Sequence, residues 1–145
     1  MQSITPKELI KNNDESVLIL DIRHSSSFND WHIKDSLNID VYDDIWQGNF
    51  ESVKQKLSNL PKDRKIITVC NAGVTSQNAS MLLESMGYST LVLEKGMMGW
   101  NSLHQAVDIV DEEDLLIKQI IRVGKGCLSY LIASNSTKEC FIVDP

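Results

Sequence analysis

The sequence lacks an excess of positive charge, and it lacks long apolar runs. Its 145 residues carry 14 lysines and arginines against 20 aspartates and glutamates, which gives a formal net charge of −6 and a pI of about 5.0. A nucleic-acid surface needs clustered basic residues, so this balance argues against a nucleic-acid partner. The apolar run at residues 17–20 is far too short to cross a bilayer, and no signal peptide is evident at the N-terminus. We therefore expect a cytoplasmic protein with neither a membrane nor a nucleic-acid partner.

Cysteine is also scarce, because the chain has only three, at wide spacing. An odd number of cysteines without a secretion signal is typical of free thiols in a reducing compartment. The histidines have no metal-like spacing with one another or with the cysteines. They are His24, His32 and His104. The sequence therefore implies neither a metal site nor a cofactor.

Hydrophobic residues make up 42% of the chain, which is enough to bury a sizeable core. The runs "SVLILDIR", "RKIITVC" and "STLVLEKG" do not alternate, which predicts strands buried on both faces. Helical segments lie between them, and the first begins at Thr5 and Pro6 with a capping box completed by Glu8. This order predicts an α/β fold over residues 1–105, with a central parallel sheet flanked by helices.

The composition changes in the C-terminal part, residues 106–145. The segment "AVDIVDEEDLL", residues 106–116, carries five acidic residues and no basic one, which predicts a solvated linker. Residues 117–145 then predict a β-hairpin extension of two or three antiparallel strands, with turns at "GKG" and "SNSTKE". Unpaired apolar strand edges invite pairing with another chain, so these strands are expected to form a homodimer, to exchange between chains, or to dock on the first domain.

Cys70 lies where a predicted strand ends and a predicted helix begins. In open α/β sheets, ligands bind outside the carboxyl ends of the strands. Unpaired backbone N–H groups at a helix start stabilise a thiolate, and the small residues that follow can curve the backbone into an anion-binding cradle. The cradle residues are Asn71, Ala72, Gly73, Val74, Thr75 and Ser76. Ser76 can either cap the helix or point its hydroxyl at the sulfur.

A buried structural cysteine is the alternative, since that is the commonest state of a free thiol. The strand-to-helix junction favours a functional role for Cys70. Cys127 and Cys140 lie in strand-like runs and are predicted to be core or inter-strand side chains.

Three segments resemble the rhodanese (sulfurtransferase) domain family over roughly residues 3–104. "LILDIRHSSSFNDWHIKDSLNI" is similar to the family pattern DxR…EF…GHIxGAxNI. "CNAGVTS" matches the loop C-x-x-G-x-[RT]-S, and "LEKGMMGW" matches the closing L-x-GG…W. The resemblance implies a rhodanese-like three-layer fold. Asp21 and Arg23 could contact substrate as supporting residues, but an ion pair or a turn-fixing role is favoured. His32 could serve as a base, but a mostly structural role is favoured.

The resemblance further implies a sulfurtransferase that moves sulfane sulfur from thiosulfate or a low-molecular-weight persulfide to a thiol acceptor, through a persulfide on Cys70. Several residues depart from the family pattern. Thr75 and Asn71 stand where many relatives have basic residues, so the loop offers no cationic side chain to a dianion. Trp31, Asp35 and Lys95 replace glycines, which is expected to adjust turns. A non-catalytic binding module remains the main alternative, and a protein phosphatase fits less well because it needs a longer loop ending in arginine.

A second resemblance concerns "GCLSYLIASNSTKECFIVDP", which is similar to the opening hairpin of a metallo-β-lactamase-fold domain of the type found in persulfide dioxygenases. The metal signature H-x-H-x-D-H of that fold is absent from these residues. This resemblance predicts a fragment of a rhodanese–hydrolase fusion, in which the first domain serves the hydrolase.

Overall fold

A computed structural model describes residues 2–11, 16–123 and 126–144. The chain divides into two compact units, Met1–Trp100 and Asn101–Pro145. The first unit contains a five-stranded parallel sheet in the order β1-β5-β4-β2-β3. Its strands are β1 (Ser3–Ile4), β2 (Val17–Asp21), β3 (Leu37–Asn38), β4 (Lys65–Val69) and β5 (Thr90–Leu93). The predicted parallel sheet is therefore confirmed.

Helices connect these strands. They are α1 (Pro6–Lys11), α2 (Ser25–Asp30), α3 (Tyr42–Trp46), α4 (Phe50–Leu57), α5 (Thr75–Ser85) and α6 (Gly96–Asn101). The capping box predicted for α1 is present, because the Thr5 amide donates to Glu8 Oε2 at 2.8 Å and the Glu8 amide donates to Thr5 Oγ1 at 3.2 Å. Among the described residues, no helix has the length and apolar character needed to cross a membrane.

The sheet is covered on both faces. Leu20 and Ile66 belong to one buried cluster that also includes side chains of α3, α4 and α5. Ile19 and Ile67 alternate with them along β2 and β4, and they are also buried. Burial on both faces explains why these strands read as unbroken apolar runs. The three-layer interpretation of the sequence is correct for this unit.

The second unit is a four-stranded antiparallel sheet in the order β6-β7-β8-β9. Its strands are β6 (His104–Asp111), β7 (Leu115–Arg122), β8 (Leu128–Ser134) and β9 (Cys140–Val143). The linker predicted for residues 106–116 is wrong, because these residues form most of β6 and the start of β7. The β-branched residues Val107, Ile109 and Val110 favour a strand, and most of the acidic residues gather in the turn between the two strands.

Two further predictions concern this second unit. The "SNSTKE" turn is present, closed by a bond from the Ser134 amide to the Glu139 carbonyl at 3.0 Å, whereas residues 124 and 125 of the "GKG" turn lie outside the described residues. Cys127 and Cys140 are exposed, so the core alternative predicted for them is wrong. Cys140 lies in β9 opposite Ala133 of β8, which is the inter-strand alternative. Strand β9 leaves Phe141 73% exposed, and pairing with a second copy of the chain stays a prediction. The likeness to a metallo-β-lactamase-fold domain also stays a prediction.

Candidate active site

Cys70 follows the last residue of β4, a central strand of the parallel sheet. It therefore lies at the carboxyl edge of the sheet, where ligands bind in open α/β folds. Residues 71–74 make a short loop, and α5 begins at Thr75. The Cys70 side chain points inward and is only 1% exposed. The sulfur is therefore almost fully covered by protein.

Two polar groups contact the sulfur. The Gly73 amide donates a hydrogen bond to Cys70 Sγ at 3.1 Å, and Ser76 Oγ lies 3.3 Å from the same sulfur. The thiol donates to the Ser76 hydroxyl, whereas a thiolate would accept from it. Ser76 lies in the first turn of α5 and contacts the sulfur instead of capping the helix. A thiolate would therefore have two short-range donors and the start of an 11-residue helix beside it.

The loop is held from the other side by the start of α6. The Met97 amide donates to the Cys70 carbonyl at 2.8 Å, and the Met98 amide donates to the Asn71 carbonyl at 2.9 Å. Gly96 has φ +51°, and a Cβ on it would lie 2.2 Å from the Cys70 carbonyl oxygen. Only glycine permits so close an approach. The sequence alone did not predict this contact, although Gly96 in "LEKGMMGW" was the residue that could have indicated it.

Two of the three residues that replace family glycines have a left-handed backbone, whereas Trp31 is extended. Lys95 has φ +57° and Asp35 has φ +62°, so both occupy the left-handed region that glycine adopts most easily. These residues replace glycine at turns, as the sequence predicted.

The loop residues differ in accessibility. Asn71 and Ala72 are exposed, and Val74 is 61% exposed. Thr75 is only 4% exposed and Ser76 is fully buried. The exposed loop residues can touch a substrate, whereas the Thr75 side chain faces the interior.

Asp21 and Arg23 form a buried ion pair that fixes the turn after β2. Arg23 Nη2 lies 2.7 Å from Asp21 Oδ2, and Arg23 Nε donates to both carboxylate oxygens at 3.0 Å. Arg23 Nη2 also donates to the Trp31 carbonyl at 2.8 Å. The Ile22 amide donates to the Val69 carbonyl at 2.9 Å, which ties this turn to the end of β4. The pair therefore has a structural role next to the cysteine loop.

His32 is exposed and supports the segment around α2. Its Nδ1 lies 2.8 Å from the Phe28 carbonyl oxygen, and its ring stacks on the Phe28 ring with centroids 4.0 Å apart. These contacts fit the structural role expected for His32.

Two pockets flank the cysteine loop. One has a volume of about 210 Å³ and is lined by Arg23, His24, Ser27, Tyr42 and Asn71. The other, of about 410 Å³, lies on the side of Ala72, Gly73 and Val74 and includes Glu94 and Lys95. Sequence reasoning did not predict His24 and Tyr42 as pocket residues, although His24 follows a strand at the carboxyl edge.

A parallel α/β sheet that presents a buried cysteine in a tight loop at a helix start is typical of rhodanese-like domains. The sequence model of that family, the rhodanese-like domain, matches residues 5–103, and the chain belongs to this family. The resemblance that the sequence showed over roughly residues 3–104 is thereby confirmed.

Relatives of this chain include proteins that are named sulfurtransferases. The thiosulfate sulfurtransferase GlpE of Shewanella oneidensis is 32% identical over 88 residues, which make up 60% of this chain and 78% of that protein. A sulfurtransferase of Allochromatium vinosum is 28% identical over 87 residues, covering 59% of this chain and 73% of that protein. Sulfur transfer is therefore supported at the level of the family.

Solved structures share the fold. A rhodanese-like domain protein from Staphylococcus aureus has a TM-score of 0.57 and 27% identity, covering 69% of this chain and 91% of that one. A rhodanese-related protein from Thermoplasma volcanium has a TM-score of 0.58 and 24% identity, covering 69% and 90% of the two chains.

Proposed function

We propose that this protein is a rhodanese-type sulfurtransferase that carries sulfane sulfur as a persulfide on Cys70. The observation that carries the proposal is the environment of Cys70 Sγ, which accepts the Gly73 N–H and adjoins the Ser76 hydroxyl at the start of α5. These groups stabilise an anionic sulfur, and the thiolate is the form of cysteine that attacks. The named sulfurtransferases among the relatives support the same reaction class.

The reaction has two displacements. The Cys70 thiolate attacks the outer sulfur of thiosulfate, a new S–S bond forms, the S–S bond of thiosulfate breaks, and sulfite leaves with the electron pair. An acceptor thiolate then attacks the outer sulfur of the persulfide, taking that sulfur and releasing the Cys70 thiolate. A low-molecular-weight persulfide donates in the same way and leaves as a thiolate. No second cysteine lies in the loop, so the acceptor is an external thiol.

Intact mass spectrometry tests the proposal. Incubation with thiosulfate or glutathione persulfide should add the mass of one sulfur to the wild-type protein, and a thiol acceptor should remove it. The Cys70→Ser variant should gain no sulfur. A Cys127→Ser/Cys140→Ser double variant is the matched control, because it loses two exposed thiols and should still load.

Two outcomes would overturn this proposal. Equal loading of the Cys70→Ser variant would place the reactive thiol elsewhere. Failure of the wild-type protein to load from either donor would instead favour a non-catalytic binding module.

A further inference from the structure

The pocket beside Asn71 lies next to the proposed nucleophile. Strands β2 and β4 pair with Asp21 opposite Val69, and the Ile22 amide bonds to the Val69 carbonyl. The chain after β2 therefore runs beside the chain after β4. For this reason His24 and Asn71 line the same pocket although they are far apart in the sequence.

The carboxylates of Asp40 and Asp43 adjoin this pocket through its lining residue His24. His24 Nδ1 lies 3.6 Å from Asp40 Oδ2, and His24 Nε2 lies 3.5 Å from Asp43 Oδ1. Even a protonated imidazole would leave one of these two carboxylates uncompensated.

The neighbouring cations do not change this balance. Arg23 is held by Asp21, so that buried pair contributes no net charge. Lys56 donates to the Asp40 carbonyl, but its ammonium pairs with Asp44 at 2.7 Å. The cysteine loop itself, residues 70–76, carries no charged side chain.

An aromatic ring in the pocket also favours a positively charged ligand. Tyr42 lines the pocket, and its ring centroid lies 5.1 Å from that of His24. The face of a tyrosine ring attracts cations through its quadrupole. The two carboxylates beside His24 and the tyrosine ring together favour a positively charged group over an anion.

We propose that this pocket selects sulfur carriers by charge, favouring thiols and persulfides that bear an ammonium group and disfavouring anionic ones. Asp43 is the specificity-determining residue, because its carboxylate faces the pocket residue His24 and its side chain is 69% exposed, free of a packing role. This inference rests on the proposed function, since Cys70 must be the thiol that the carrier reaches.

Charged thiol reagents test the pocket without requiring turnover. The rates at which 2-aminoethyl and 2-sulfonatoethyl methanethiosulfonate modify Cys70 are measured by peptide mass spectrometry, at fixed pH and low salt. A single charge that acts through water over roughly 5–10 Å changes each rate about two- to fourfold, in opposite directions, so Asp43→Asn should lower the cation-to-anion rate ratio about fourfold or more. At high salt the difference between wild type and variant should shrink.

Glu51→Gln is the matched control. It removes the same charge from an exposed carboxylate of the same unit, but that carboxylate pairs with Lys54 on α4 and does not contact a residue of the pocket. The ratio for Glu51→Gln should stay close to that of the wild type. An unchanged ratio in Asp43→Asn, or an equal change in Glu51→Gln, would overturn the proposal.

A second measurement separates this inference from the proposed function. Persulfidated protein is treated with cysteamine, 2-mercaptoethanol or 3-mercaptopropionate, which differ in the charge of the terminal group. Comparing variant with wild type for each acceptor cancels the intrinsic reactivity of the thiols. Asp43→Asn should slow release to cysteamine, leave 2-mercaptoethanol nearly unchanged and speed release to 3-mercaptopropionate. Absence of sulfur loading would contradict the proposed function, whereas the reagent ratio would still report on the pocket.

Discussion

Replacing Gly96 by alanine should damage the cysteine loop from the side opposite to the sulfur. The new Cβ would lie 2.2 Å from the Cys70 carbonyl oxygen, 2.8 Å from the Gly73 nitrogen and 2.9 Å from the Asn71 carbonyl oxygen. All three are backbone atoms, so no side chain can rotate away to make room. Either the loop or the start of α6 must move.

The cost has two parts. An L-residue held in the left-handed region costs about 1–2 kcal/mol, and Gly96 has φ +51°. Overpacking of a close contact costs about 1–3 kcal/mol more. The free energy of unfolding should therefore fall by about 2–5 kcal/mol, a large part of the roughly 5–15 kcal/mol that stabilises a typical domain.

Gly48→Ala is the matched control, because Gly48 has φ +74° and a Cβ on it would meet no atom within 4 Å. Only the conformational cost of about 1–2 kcal/mol should appear there. The difference between the two variants isolates the overlap with the cysteine loop.

Urea unfolding followed by tryptophan fluorescence measures this difference, since all three tryptophans lie within the first unit. Sulfur loading of the folded Gly96→Ala variant should also be slower than that of Gly48→Ala. Equal destabilisation and equal loading in the two variants would refute the argument that α6 supports the loop.

Three further predictions follow from contacts of single side chains. Ser76→Ala should slow alkylation of the proposed nucleophile by iodoacetamide about tenfold or more, because a hydrogen bond to a charged group contributes roughly 1.5–3 kcal/mol. An unchanged rate would mean that the Gly73 amide suffices. Asp21→Asn should lower the free energy of unfolding by about 3–5 kcal/mol, because it leaves a buried guanidinium without its counter-charge. Urea unfolding measures this loss, and a loss below about 1 kcal/mol would contradict burial of the pair. Hydrogen bonds from Ser136 and Ser134 lower the pKa of Asp114 from its ordinary value of 3.8. The stability that this carboxylate contributes is therefore present above about pH 4 and lost as the pH falls through the lowered pKa. Circular dichroism of Asp114→Asn should show a weaker acid dependence of unfolding below that pH, and identical acid profiles would contradict the assignment.

The strand, loop and helix around Cys70 could be predicted because their signals are local. A buried apolar run, small loop residues and a helical pattern follow one another, and they stand in the right order with two further motifs. The position of Asp21 and Arg23 at a strand end was predictable for the same reason.

The pocket containing His24 and Tyr42 could not be predicted in this way. It depends on the pairing of β2 with β4 and on the placement of α3, which no local pattern of residues encodes. The close contact of Gly96 with the Cys70 carbonyl likewise joins two loops that are distant in sequence.

Composition alone gave the wrong prediction for part of the second unit. Counting acidic residues over residues 106–116 suggested a linker, although most of them lie in one turn and the β-branched residues before it form a strand. Of the two alternatives for Cys127 and Cys140, core or inter-strand side chains, the core alternative fails because both are exposed. A single layer of four strands, taken by itself, leaves most side chains of β7 and β8 half-buried and those of β9 exposed.

The depth of the Cys70 sulfur also governs how long a transferred atom would survive. Persulfides are readily reduced by abundant small thiols, and in the proposed reaction the inner sulfur of the persulfide is the Cys70 Sγ, which is buried before loading. Loss of the transferred sulfur to free small thiols in solution would then be slow. The lifetime of the loaded state would depend on which acceptors can pass Asn71 and Ala72, and much less on the total concentration of thiol around the protein.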